Sequence, residues 1–186
     1  ITALHCSQRQ FSIPVPTFVS PLPNPEPLHP YDQFRRNVDA LSAFHIRQAG
    51  LSDLCTVSEE ALAYIVTKGS LGALYCVSDG SFNPKTGKGS QAWIITDEHR
   101  EDHIQGAGPV DGDPASMSAY HPELQGILAN IIFLTLLVPA YAMPPTAKAT
   151  IVCDNEAATI ELTKIVTHPH HQVDPLQTDY DLLLEI

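Results

Sequence analysis

The sequence predicts an α/β fold, one mixed sheet with helices packed on its faces. Three observations predict it. From residue 71 onward, short apolar segments joined by short turns read as an antiparallel meander. A long segment over 119–137 follows, whose apolar positions Leu124, Ile127, Leu128, Ile131, Ile132 and Leu134 cover most of a helical circumference, as in a helix buried against a sheet. Beyond it a strand pattern and helical patterns alternate, so the order runs β-β-β-α-β-α-α.

The chain has 186 residues, 44% of them hydrophobic, which allows one domain of ordinary size with a real core and some extra chain. It begins at Ile1 and ends at Ile186 inside a periodic apolar pattern, and it reads as a piece of a longer reading frame. No run of eighteen apolar residues occurs, so no membrane span is expected, and no basic-then-apolar signal opens the chain. Cys6, Cys55, Cys76 and Cys153 are spaced neither as a zinc site nor as a disulfide framework. Buried free thiols in a reducing intracellular compartment, cytoplasm or nucleus, are expected. The formal net charge of −11 argues against capture of nucleic acid by bulk electrostatics.

Residues 13–30 carry seven prolines and cannot hold a helix or a central strand, so they read as an extended linker or strap. Residues 32–48 have Phe34, Val38, Leu41 and Phe44 near helical spacing. "TVSEEALAYIVTKG" is a clearer helix, with Thr56 and Glu59 as a capping box and Gly69 as its stop. Residues 1–70 are thus expected to be a Pro-rich linker and helical extension outside the catalytic core, and 71–186 a sheet domain. In that domain residues 74–79 read as a strand, 80–88 as a turn, 90–96 as a second strand and 104–108 as a third. Residues 148–154 read as a fourth strand, 155–166 as a helix, and 176–186 as the start of another. Pro139, Pro144 and Pro145 should end the long helix. Trp93 belongs in the core.

The chemistry sits where strands meet carboxylates. In "LYCVSDGSFNPKTGKG" an apolar strand runs into Asp79, and a buried charge is costly unless something pairs with it. "KATIVCDNEAA" repeats the device at Asp154, directly before a helix. Side-chain alternation puts Tyr75, Val77 and Asp79 on one face and turns Cys76 and Cys153 the other way, as core residues. Strand ends in open α/β sheets present ligand-binding groups. A third acid, Glu123 in "SAYHPELQGIL", falls in the first turn of the long helix, where Ser118 is a possible N-cap and Pro122 is tolerated. Three acids without Lys or Arg raise one another's pKa values, and divalent cations relieve that repulsion. Mg²⁺ takes a few carboxylates together with waters and phosphate oxygens. Two such ions about 3.5–4 Å apart serve phosphodiester cleavage.

"VSDGS", "SAYHPELQGIL" and "VCDNEAA", in this order after a meander, resemble the ribonuclease H family, and most of all the domains attached to reverse transcriptases of retroelements. The resemblance covers roughly residues 72–186. It implies a mixed sheet of order 3-2-1-4-5 with strand 2 antiparallel and helices on both faces. It also implies a site of two Mg²⁺ ions, with Mn²⁺ as a substitute, that cleaves the RNA strand of RNA–DNA hybrids by activated water. Asp79, Glu123 and Asp154 match the family's catalytic and metal-ligating acids. His121 stands where the family often has arginine. The family's fifth strand, loop histidine and fourth acid would lie beyond Ile186, so the 186-residue chain is expected to turn over poorly. The partners implied are the hybrid and a polymerase domain of the same polyprotein.

Blander roles compete at each position. Asp79 and Asp154 could cap turns, and Glu123 could answer the helix dipole. Gly80, Ser81 and Asn155 are candidate substrate contacts, but such residues after strands are commonly turn formers. His168, His170 and His171 in "THPHHQ" read as a solvated loop before a metal site. Asp179 and Asp181 suit a helix N-terminus better than a fourth ligand position. Acids outside the triad read as solvated surface. The rival functions are a non-catalytic module of the same fold, serving structure or protein interaction, and a related nuclease or recombinase acting on DNA.

Overall fold

The structure, a computed structural model, describes residues 27–52, 57–99, 104–110 and 117–167. In chain order the elements are α1 (Pro30–Asp39), α2 (Ala43–Gln48), α3 (Glu59–Ser70), β1 (Leu74–Asn83), β2 (Lys88–Thr96), β3 (Ile104–Val110), α4 (Tyr120–Ala140), β4 (Ala149–Val152) and α5 (Glu156–Thr167). The expected final helix over 176–186 lies outside the described residues, as do Thr56 and the His168–His171 tract.

Capping chemistry corrects the helix boundaries. The single helix expected over 32–48 is two helices, because Ser42 turns out of α1 and restarts the chain as the N-cap of α2, its Oγ accepting from the His45 N–H at 3.2 Å. Phe34 and Val38 are buried as expected, whereas Phe44 is exposed. Pro30 opens α1, where a missing N–H leaves no bond unmade. The observed cap of α3 is Ser58, accepting from Ala61 N–H at 3.1 Å. Gly69 lies inside α3. Gly72, at φ +73, makes the left-handed step into β1.

The sheet is mixed, in the order β3-β2-β1-β4. β1–β2 and β2–β3 are antiparallel, and β4 joins β1 in parallel after the α4 crossover that a parallel neighbour requires. As far as the described strands go, this is the order the resemblance implies. β1 is longer than expected. Gly80 and Ser81 stay in the ladder opposite Gln91 and Ser90. The turn comes later, where the Asn83 side chain accepts from Lys85 N–H at 3.0 Å and Gly87 sits at φ +63.

Leu74, Cys76 and Ser78 of β1 are buried on one face, beside Trp93 and Ile95 of β2. They share one core with Phe133 and Leu137 of α4, Phe34 and Val38 of α1, and Leu62 and Ile65 of α3. Phe133 sits between Phe34 and Trp93, with ring centroids 5.6 and 5.4 Å away. Trp93 is in the core as expected, its Nε1–H donating to Ala49 O at 2.7 Å. A second cluster, Leu124, Ile127, Leu128 and Ala158, joins α4 to α5.

Two expectations change accordingly. The boundary at residue 70 does not coincide with a break in packing, because α1 and α3 supply side chains to the same core as the sheet. The other concerns the faces: among the described residues both buried clusters involve the Cys76 face, whereas on the other face Tyr75 and Val152 are exposed and Val77 and Ile94 share a concavity with Val57 and Ala61 at the start of α3.

α4 is long and apolar enough to cross a membrane by length and composition, yet 67% of its most apolar window is buried inside the fold, the position of a core helix. Pro139, expected to end it, lies in its last turn.

Acids outside the site are not all solvated surface. The Asp97 carboxylate is fully buried, held by Lys68 Nζ at 2.7 Å and by the Tyr64 hydroxyl donating at 2.6 Å.

Candidate functional site

Glu123 lies in the first turn of α4 and is only 6% exposed. It gets there because Gly80 has no side chain. A Cβ on Gly80 would lie 2.4 Å from Glu123 N and 2.5 Å from the Pro122 carbonyl carbon, so only glycine lets the start of α4 rest on β1. The Gly80 main chain also hydrogen-bonds the Glu123 carboxylate. Gly80, expected as a substrate contact, is therefore a packing position. Ser118 does not cap α4 directly. Ala119 occupies the cap, and the Ser118 hydroxyl accepts from the Tyr120 N–H at 3.2 Å. His121 is buried.

Asp154 follows β4 by two residues. β4 pairs with β1 only as far as Val77↔Val152, so beyond that point one flank of β1 is open. Asp79 is exposed and sits within β1, opposite Ala92 of β2, and not at the strand's end as expected. Asn155 turns the chain into α5, its Oδ1 accepting from Ala158 N–H at 3.1 Å. That is a helix cap, where the sequence reading had a candidate substrate contact. Ser81 is exposed in the ladder, on the same face as Asp79.

Among the described residues, ligand atoms of Glu123, Cys153 and Asp154 converge, all within 4.8 Å of one another. Asp79 is not a member of that group but acts on Glu123 electrostatically. Burial pushes the Glu123 carboxyl up from its ordinary value, and the charges of Asp154 and Asp79 add to that. The Cys153 thiol and the Gly80 main chain pull against them. Among the described residues, Lys and Arg form no ion pair with any of the three acids.

Cys153 is the functional residue that sequence reasoning set aside. Alternation turns it away from Asp154, and it does pack there, against the cluster that joins α4 to α5, but the first turn of α4 brings Glu123 to the same place. Cys153 is half-buried, its Sγ donating to Glu123 Oε2 at 3.5 Å. Burial raises its thiol pKa, with the neighbouring carboxylates adding. The signal was there in its adjacency to Asp154. Cys76, by contrast, is core as expected, its thiol pushed up to about 12 by burial.

Two concavities meet at Asp79. One, of about 750 Å³, runs over Val77, Ile94 and Gln105 to Val57 and Ala61. The other, of about 550 Å³, is floored by small residues, Gly80, Ser81, Gly89 and Ser90 among them. Ala92 and Ala107 line both.

No family model matches the chain, and neither a curated protein nor a solved structure matches it. The donor set is therefore judged on its own chemistry. Two convergent carboxylates, one held uncomfortably in a buried place, fit a divalent cation. The thiol beside them is a softer donor than Mg²⁺ prefers.

Proposed function

We propose that this chain is a cation-dependent phosphodiester hydrolase of the ribonuclease H type, cleaving the RNA strand of RNA–DNA hybrids within a retroelement reverse transcriptase polyprotein. The observation that carries the reading is the approach of Glu123, from the first turn of α4, to Asp154, just past β4, with the charge of Asp79 felt at the same carboxylate. The mixed sheet with β4 parallel to the central β1 supports it.

In this reading Glu123, Asp154 and Asp79 hold two Mg²⁺ ions, for which Mn²⁺ can substitute. Bound cations supply an acidified water and charge stabilisation for the leaving oxygen. The protein's part is placement. Gly80 seats the helix that carries Glu123, the Asn155 cap fixes the segment carrying Asp154, and the exposed side of Asp79 opens onto the two grooves where a phosphodiester backbone can lie. No protein nucleophile is required.

A hybrid with labelled RNA, incubated with Mg²⁺ and the protein, tests the proposal. RNA-strand cleavage that disappears in Asp79→Asn and Asp154→Asn is the expected result. Cleavage indifferent to both substitutions overturns it. The second reading, a non-catalytic module of the same fold, is favoured by the net charge of −11. It is the outcome if a folded protein neither binds Mn²⁺ nor cleaves.

A further inference from the structure

We infer that Cys153 makes the Glu123–Cys153–Asp154 group a site for a thiophilic divalent cation of the zinc class, which competes with Mg²⁺ for the same two carboxylates. The inference rests on reading Glu123 and Asp154 as metal ligands and adds a third ligand of different chemistry.

The Cys153–Glu123 pair already has the spacing of two ligands on one ion, and Asp154 lies near enough to complete the set by a small side-chain movement. Zinc bonds sulfur at about 2.3 Å and carboxylate oxygen at about 2.0–2.2 Å, so two such ligands on a tetrahedral ion stand about 3.5 Å apart. Cys153 Sγ and Glu123 Oε2 are 3.5 Å apart, and an Asp154 oxygen lies within 4.8 Å of both. The thiol proton now in that gap would pass to solvent as the ion enters, as metal binding to cysteine requires. Three protein ligands leave a fourth position open, the pattern of reactive zinc sites.

Supporting contacts hold two of the ligands in place, as outer contacts do around metals. The Gly80 main chain bonds the Glu123 carboxylate, and the Asn155 cap anchors the chain immediately after Asp154. The thiolate is the soft donor that selects zinc or cadmium over magnesium. Mg²⁺ demands near-octahedral oxygen ligation, so an ion seated on sulfur denies Mg²⁺ both carboxylates. The consequence is inhibition of the proposed hydrolysis by soft metals at a site that Mg²⁺ otherwise shares.

The experiment titrates the reduced, metal-stripped chain with Cd²⁺ and follows the ultraviolet sulfur-to-cadmium charge-transfer band. The expected result is one Cd²⁺ per chain with a band that survives Cys6→Ser/Cys55→Ser and vanishes in Cys153→Ser, and a loss of Cd²⁺ affinity beyond the ~10–100-fold that removing a mere supporting contact costs. Asp154→Asn should weaken Cd²⁺ binding while leaving Cys153 present. Circular dichroism checks that each variant is folded, with Cys153→Ala as the alternative should the serine variant fail. A band that persists without Cys153, or no band in the wild type, overturns the inference. Mn²⁺ binding, followed by electron paramagnetic resonance on the same chain, keeps the two readings apart. Mn²⁺ bound without any Cys153-dependent band sinks this inference and leaves the proposed function standing. A Cys153-dependent band with no Mn²⁺ binding sinks the proposed function and the competition with Mg²⁺, and leaves the zinc-class site itself standing.

Discussion

Cys153 Sγ lies 3.5 Å from Glu123 Oε2, a thiol from the chain just past β4 donating to a carboxylate in the first turn of α4. That contact joins two segments 30 residues apart in sequence and defines where the acids of the chain converge. Asp79 stands close enough to raise the pKa of the same carboxylate, across the strand position that Gly80 keeps bare.

Gly80→Ala should be the most damaging small change near the site. The added methyl meets main-chain atoms of Pro122 and Glu123, which cannot yield as a flexible side chain can. Overpacking of this kind costs about 1–3 kcal/mol. The expected outcome in thermal melts is a lower Tm, accompanied by weaker Mn²⁺ binding because Glu123 is displaced. Unchanged Mn²⁺ affinity would mean that the seat of α4 on β1 does not position the acid.

Asn155→Ala separates capping from substrate contact. Loss of an N-cap costs about 1 kcal/mol, and the Asn155 side chain accepts from Ala158 N–H at the start of α5. Denaturant unfolding should show that loss. Asn155→Asp, which also caps, should restore stability. If Asp fails to restore it, the cap is not what Asn155 contributes.

Asp97 provides the pH test. The Lys68 ammonium and the Tyr64 hydroxyl, in that order, hold its carboxyl well below the usual carboxylate range. A group whose pKa is depressed in the folded state adds stability above its unfolded pKa, about 3.9 for Asp, and loses it as pH falls through the folded value. Asp97→Asn should therefore lower Tm near neutrality, and the gap to wild type should close only in strong acid, below about pH 4. A gap that stays constant through that range would show that the ionised form of Asp97 is not what stabilises the fold.

Hybrid binding should depend steeply on divalent cation. A chain of net charge −11 with unpaired acids at the site repels phosphate until cations intervene. Titration of an RNA–DNA hybrid in Mg²⁺ and in chelator should show weak binding that nearly disappears without the ion. Tight binding in chelator would point to a basic surface and away from the acidic site.

The helices before the sheet should prove indispensable. Phe133→Ala, which empties the space between Phe34 and Trp93, should cost about 3–5 kcal/mol. Removing residues 30–70 takes Phe34, Val38, Leu62 and Ile65 out of the same core and should abolish cooperative unfolding of the remainder. A remainder that still melts cooperatively would restore the boundary at residue 70.

The sequence by itself determined the element order from α3 to α5, the burial of Trp93 and Cys76, and the placing of Glu123 in the first turn of a buried helix. These follow from local physics. Apolar periodicity reports which side of an element leaves water, and proline tolerates only the first turn of a helix. Only the tertiary structure decided the rest. Whether Gly80 was a turn or a contact surface depended on α4 arriving above it, and whether α1 and α3 were an appendage depended on what Phe133 would touch. Cys153 was the sharpest case. Alternation puts the thiol on the side away from Asp154, where it packs against the α4–α5 cluster, but that Glu123 meets it there depended on where the first turn of α4 came to rest, which no pattern in the segment of Cys153 records.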